Sequence, residues 1–200
     1  MRRFDVKQFV EDIERFQITE TPMVPAMIVA ILNSPVTKKE HLQSLRYVWS
    51  AGSPLRASTQ AELQSLLAPE AKISQVWGMT ETGWALFLSW PEGDDTGSVG
   101  RIMDGMGAWS VLSSVSENPV YAANRGTYSL KDDDGNLIEA DMKEGELYIK
   151  GPCMMLGYLD NPKATAASIS PDGWMRTGDI AYCIDGKWYI IDRKKVRYAQ

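Results

Sequence analysis

Two short apolar runs, Tyr47–Ser50 and residues 71–76, are separated by one amphipathic stretch over residues 57–67, and this spacing constrains the fold more than any other feature. Strand, helix, strand at such a distance reads as a parallel crossover, which commits the surrounding segment to an α/β layer. Each run ends in small or polar residues: the first runs into AGSPL (51–55), the second into QVWGMTET (75–82). Open α/β sheets bind their ligands at the carboxyl ends of strands, so both endings are candidate sites. Within the second, the hydroxyl of Thr80 can donate to a phosphate oxygen, and the carboxylate of Glu81 can hold a hard cation such as Mg²⁺. Gly78, having no Cβ, lets backbone approach a ligand closely. The plainer reading is a strand-to-turn junction carrying a surface glutamate.

Upstream, Asp5 reads as a helix N-cap with Phe4 as the staple residue before it. Phe9, Val10, Ile13 and Phe16 then recur at helical spacing over residues 6–17. ITET (18–21) reads as a short strand, Pro22 and Pro25 as the entry to a helix over Ala26–Leu32, and residues 39–44 as a third short helix. Beyond residue 96 the pattern changes to short strands separated by DDDGN (132–136), PDG (171–173) and DGK (185–187). That half is expected to be antiparallel and barrel-like.

Composition narrows the function. Net charge is −5 and pI about 5.0, which argues against nucleic acid as a partner. No apolar run approaches the roughly 20 residues of a membrane span. The two cysteines, Cys153 and Cys183, lie far apart, which fits a reducing, intracellular compartment. The sole histidine, His41, lies on what reads as a solvated helix face, which leaves little room for a His-based triad or zinc site.

QVWGMTET stands in fixed order with SAGSPL (50–55), GELYIKGP (145–152), GYLDNPKAT (157–165), GWMRTGD (173–179) and DRKK (192–195). In this the chain resembles the adenylate-forming superfamily, most closely its acyl-CoA synthetases and enzymes like 4-coumarate–CoA ligase. Trp77 replaces the usual tyrosine. The resemblance implies an ATP-dependent acid–thiol ligase that makes acyl-AMP and passes the acyl group to coenzyme A. Its cofactors would be ATP/AMP, Mg²⁺ and coenzyme A, and its partners a nucleotide and a carboxylic acid. By the same resemblance Ala51, Gly52 and Ser53 form the adenine-side turn, and Gln75, Trp77 and Gly78 continue that wall, with the Trp77 ring to stack on. Thr80 meets the α-phosphate and Glu81 holds Mg²⁺. Asp179 accepts the ribose hydroxyls, and Arg193 also reaches the ribose. Gly83 and Trp84 border the acyl pocket, Trp84 being equally readable as core. Lys195 is the hinge about which a C-terminal domain rotates, and Lys194 a solvated charge.

The family's pattern also sets expectations about extent. Residues 1–195 match the second half of an adenylation domain, and 196–200 depart from the family's continuation. The Ser/Thr/Gly-rich phosphate loop ending in lysine is not found in these residues, nor is the C-terminal domain, so the chain alone is expected to be inactive. The alternative is a non-catalytic remnant that binds AMP or an acyl-adenylate weakly. Residues 109–129 interrupt the pattern and read as a surface insertion or an in-frame retained intron. Without the missing half, apolar side chains such as Phe9, Ile13 and Phe16 are expected to lack partners. Location is expected to be cytoplasmic or peroxisomal.

Overall fold

A computed structural model describes residues 4–111, 129–131, 137–139 and 144–193. The chain divides into two compact units, one of Met1–Trp77 with Phe87–Ser98, the other of Gly78–Leu86 with Val99–Gln200.

The first unit is the parallel layer. Helix α1 (Val6–Phe16) starts where expected: the Asp5 carboxylate accepts from the Gln8 amide at 3.0 Å, and Phe4 packs edge-on against Phe9 as the staple. Strand β1 (Glu20–Met23) lies two residues later than ITET, so Pro22 sits inside it rather than at a helix entry. The sheet order explains why this is tolerated. With β2 (Tyr47–Ser50) and β3 (Lys72–Gln75) the order is β1-β2-β3, all parallel, and proline survives on an edge strand because its missing N–H costs no ladder bond there. Pro25 takes the first turn of α2 (Pro25–Leu32), and α3 (Ala57–Leu66) makes the crossover from β2 to β3. Val10, Ile13, Ile28, Ile31, Val48, Leu63 and Ile73 form one buried core, with Phe9 packed against it. Phe9 and Ile13 therefore have partners, contrary to expectation. Phe16 stays exposed, under the Arg15 guanidinium.

Residues 39–42 form a 3₁₀ turn, not an α-helix, and His41 is part of its cap: its Nδ1 accepts from the Lys38 amide at 3.2 Å. With its Nε2 3.6 Å from Glu14, His41 is half-buried rather than solvated. The Tyr47 hydroxyl lies 2.9 Å from the Leu88 carbonyl and 2.7 Å from that of Glu92. Burial raises its pKa to about 12.

In the second unit, strands β4 (Trp77–Met79), β5 (Gly83–Phe87) and β6 (Arg101–Ile102) form one sheet, β4 and β5 each keeping a terminal residue in the first unit. The larger sheet uses β7 (Gly107–Val111), β10 (Gly145–Lys150), β11 (Met175–Ile184) and β12 (Lys187–Arg193) in the order β12-β11-β10-β7, and β8 (Ser129–Lys131) pairs with β9 (Leu137–Glu139). The larger sheet of the second unit and its β8–β9 pair are antiparallel. Among the described residues these sheets are open, so the expected barrel is not closed. Asp185 and Gly186, at φ of 50° and 76°, make the two-residue turn between β11 and β12 that DGK announces. Trp109, Ser110 and Val111 continue β7 against β10 and Ser129 opens β8, so the expected 109–129 insertion begins and ends in strand. Residues 112–128 and the DDDGN turn lie outside the described residues. Helix α4 (Pro162–Ser168) follows β10.

Candidate nucleotide and metal site

Ser50 and Gln75 stand opposite each other at the carboxyl ends of β2 and β3, which brings the 51–55 turn and the start of QVWGMTET to one sheet edge. Parallel pairing continues past both ends, through the amide of Val76 to the Ser50 carbonyl (2.8 Å) and that of Ala51 to the Met23 carbonyl (3.1 Å). Gly52 turns the chain at φ +88°. A Cβ there would meet only Val24 Cγ1 at 3.6 Å, so backbone conformation rather than space calls for glycine. The buried Gln75 side chain is engaged within the protein: its Oε1 accepts from the Leu55 amide at 2.7 Å and so fixes the turn. Ala51 is half-buried, and Gly52 and Ser53 are exposed. Trp77 is only 8% exposed, so most of its ring packs inside the protein.

In the second unit Thr80 and Glu81 occupy the turn between β4 and β5, closed by the Thr82 amide donating to the Met79 carbonyl at 3.0 Å. QVWGMTET is thus no single strand end; it leaves the parallel sheet at Gln75 and turns through a hairpin. Gly78 has a different reason from the expected one. A Cβ on it would lie 2.3 Å from the Gly83 carbonyl oxygen and 2.9 Å from Trp84 Cα. The close approach is that of the opposing strand, not of a ligand. Thr80 is exposed and Glu81 half-buried. Trp84 is 43% exposed, which removes its reading as core, and beside Gly83 a Cβ would meet nothing within 4 Å.

Glu81 is held from a distant segment. The Tyr158 hydroxyl donates to its Oε1 at 2.9 Å, and the Met155 amide donates to its carbonyl at 2.8 Å. Tyr158 is anchored in turn by its amide, which donates to Thr165 Oγ1 of α4 at 2.9 Å, and Asn161 caps that helix through Oδ1. The bond to Glu81 raises the phenol pKa above its ordinary value, because losing the proton would leave two oxyanions facing each other. Sequence reasoning missed this residue. GYLDNPKAT signals a family resemblance, but nothing local to it points 77 positions back.

The TGD segment is a bulge. Pairing of β10 with β11 jumps from Glu146↔Ile180 to Tyr148↔Arg176, so Leu147 faces Thr177, Gly178 and Asp179 together. Gly178 adopts φ +73°, and Thr177 Oγ1 donates to the Leu147 carbonyl (2.8 Å) while accepting from the Asp179 amide (3.1 Å). Bulges of this kind re-aim a side chain. Here it is the carboxylate of Asp179, 4% exposed, with Arg193 directly opposite on β12 and its Nε 3.0 Å from Oδ1. Lys194 and Lys195 lie outside the described residues.

A family model described as "AMP-binding enzyme" matches residues 1–159, most of the chain. The chain belongs to the AMP-binding enzyme family. The chain is 40% identical over 199 residues to an acyl-CoA synthetase of Alternaria alternata, an alignment covering 98% of the chain and 31% of that relative. It is 41% identical to a phenylacetyl-CoA ligase of Aspergillus niger (98% and 33% covered) and 33% identical to a 4-coumarate–CoA ligase-like protein of Oryza sativa subsp. japonica (98% and 30%). The chain spans about a third of the length of these relatives. Its fold matches that of ATP-bound MatB from Rhodopseudomonas palustris with a TM-score of 0.72 at 26% identity, covering 96% of this chain and 34% of MatB. Among the described residues no helix is long and apolar enough to cross a membrane, and no cluster of three or more His, Cys, Asp or Glu could cage a metal ion.

Proposed function

We propose that this chain carries nucleotide- and metal-binding parts of a ligase that joins a carboxylic acid to AMP and then transfers the acyl group to coenzyme A. In the first step a carboxylate oxygen attacks the α-phosphorus of ATP and pyrophosphate leaves. The observation that carries the reading is the buried Asp179 carboxylate, aimed by a glycine bulge and tied to Arg193. An ionised carboxylate has two oxygens and only accepts hydrogen bonds, which suits a vicinal ribose diol. Arg193, 69% exposed, carries a guanidinium with several donors besides the Nε that meets Asp179, which suits the same sugar. The small-residue turn Ala51–Ser53 suits a purine lying against backbone. Thr80 would donate to the α-phosphate, Gly83 and Trp84 would border the acid, and Lys195 would serve as hinge.

Mg²⁺ fits the residues at hand. It is commonly bound by one or two carboxylates together with substrate phosphates rather than by an all-protein cage, and Glu81 supplies one carboxylate whose Oε1 is held by Tyr158. When bound, the ion would neutralise phosphate charge.

Two measurements test the reading. Calorimetric titration with AMP should show Asp179→Asn binding roughly 5- to 150-fold more weakly, since a mismatched buried polar group costs about 1–3 kcal/mol. Unchanged affinity would overturn the assignment. The 200 residues alone should give no acid-dependent ATP–pyrophosphate exchange, because losing one preorganised donor commonly costs roughly 2.7–4 kcal/mol and the phosphate loop supplies several. Phenylacetate and 4-coumarate are the acids to try first, since relatives are named for them. Exchange above a no-protein control would refute inactivity.

A further inference from the structure

We infer that Tyr158 is a positioning residue for Glu81, fixing which carboxylate oxygen is presented to a divalent cation; the inference rests on the metal reading of Glu81 above. Glu81 stands in a hairpin turn and has three side-chain rotors, so its backbone placement alone does not settle where its charge points. Two separate contacts divide that task. The Met155 amide holds the Glu81 carbonyl and therefore the turn. The Tyr158 hydroxyl holds Oε1 at 2.9 Å and therefore the side chain, so that Oε2 is the oxygen it does not bond.

The phenol bond is not needed to satisfy its own loop. Tyr158 is 37% exposed, so water could serve its hydroxyl equally well. The loop is attached to α4 chiefly through backbone and cap, the Tyr158 amide to Thr165 and the Asn161 side chain to the helix start, with Ser168 a further neighbour of the Tyr158 hydroxyl. A Cβ on Gly157 would lie 3.0 Å from both Thr165 Oγ1 and Cγ2, so the chain just before Tyr158 is packed tightly on that helix. The ring thus projects from a fixed base, and its hydroxyl is shared between Glu81 and Ser168 at the end of α4. Partners that orient a metal-binding carboxylate commonly matter 10- to 100-fold in metal affinity.

The test compares the wild-type chain, Tyr158→Phe, Glu81→Gln and the double variant, with Mn²⁺ as probe. Mn²⁺ binding in the presence of ATP is read by electron paramagnetic resonance, and ATP binding in EDTA by calorimetry. Tyr158→Phe should weaken Mn²⁺ binding about 10-fold, leave metal-free ATP binding unchanged, and add nothing in the Glu81→Gln background. Urea unfolding should coincide with wild type, which separates the effect from general destabilisation. If Glu81→Gln weakens Mn²⁺ binding and Tyr158→Phe does not, the positioning role is wrong and the metal reading stands. A Tyr158→Phe loss that persists in EDTA, or that adds to Glu81→Gln, also overturns it. If neither variant changes Mn²⁺ binding, the metal reading of Glu81 falls and this inference with it.

Discussion

Replacing Gly78 by alanine should open the β4–β5 hairpin. The new methyl would sit 2.3 Å from the Gly83 oxygen, 2.9 Å from Trp84 Cα and 3.0 Å from the Gly83 carbonyl carbon. All three are backbone atoms, so no rotamer change relieves the clash. Ordinary van der Waals contact requires β5 to retreat by about 1 Å, which strains the hydrogen bonds between the strands. Overpacking of this kind costs roughly 1–3 kcal/mol, and a backbone obstacle puts it in the upper half of that range. Alanine returns about 0.4–1 kcal/mol by restricting the unfolded chain. The net loss should be about 2 kcal/mol, or roughly 4–8 °C in Tm for a chain of this size. Thermal melts followed by circular dichroism measure it, and amide exchange over residues 79–84 locates it, with protection expected to fall there first. The same displacement should weaken Mn²⁺ binding in the presence of ATP, because Thr80 and Glu81 sit in the hairpin's turn. A Gly78→Ala protein melting within about 1 °C of wild type would refute the argument.

Three further substitutions probe other parts of the fold. Tyr47 has its pKa raised to about 12 by burial, so in the unfolded chain it ionises near pH 10 and in the folded chain later. Its contribution is fully present below pH 10 and is lost as pH rises towards 12; the stability gap between wild type and Tyr47→Phe in urea titrations should therefore narrow over that window. Gly178→Ala has no steric obstacle, yet its φ of +73° should cost roughly 1–2 kcal/mol and lower AMP affinity by displacing Asp179. Asp5→Ala should lose about 0.5–2 kcal/mol, visible as reduced helicity or an earlier melt.

What the sequence discloses here follows the range of the interaction. The α1 cap and staple, the β2–α3–β3 crossover and the Asp185–Gly186 turn depend on residues within a few positions of each other, and all were legible. Strand β1 was misplaced by two residues because Pro22 reads locally as a breaker, whereas its edge position is a property of the sheet. His41 reads as solvated because Glu14, the partner beside its Nε2, belongs to another helix. The candidate site residues are legible as types: a carboxylate at 81, a carboxylate at 179, an arginine at 193. Their geometry is not. Leu147 against the TGD bulge and Tyr158 against Glu81 are pairings across 30 and 77 positions, and no window of the sequence contains both partners.

The two motif glycines show what this distinction means for the chemistry. Read locally, Gly78 is a residue that lets a ligand come near. In the folded chain the room it leaves is filled by the carbonyl of Gly83, while Gly178 turns the strand where Leu147 faces three residues. Each glycine shapes backbone so that a carboxylate a few positions on, or beside it, is delivered: Glu81 in the hairpin turn, Asp179 on the bulge. A glycine serving ligand approach would lose affinity on substitution and keep stability, because its Cβ would point into the binding space. A glycine serving chain geometry must lose stability as well. Measuring both quantities for Gly78→Ala and Gly178→Ala decides between the two accounts, and loss of AMP or Mn²⁺ affinity with unaltered melting would mean that the ligand-approach reading was right after all.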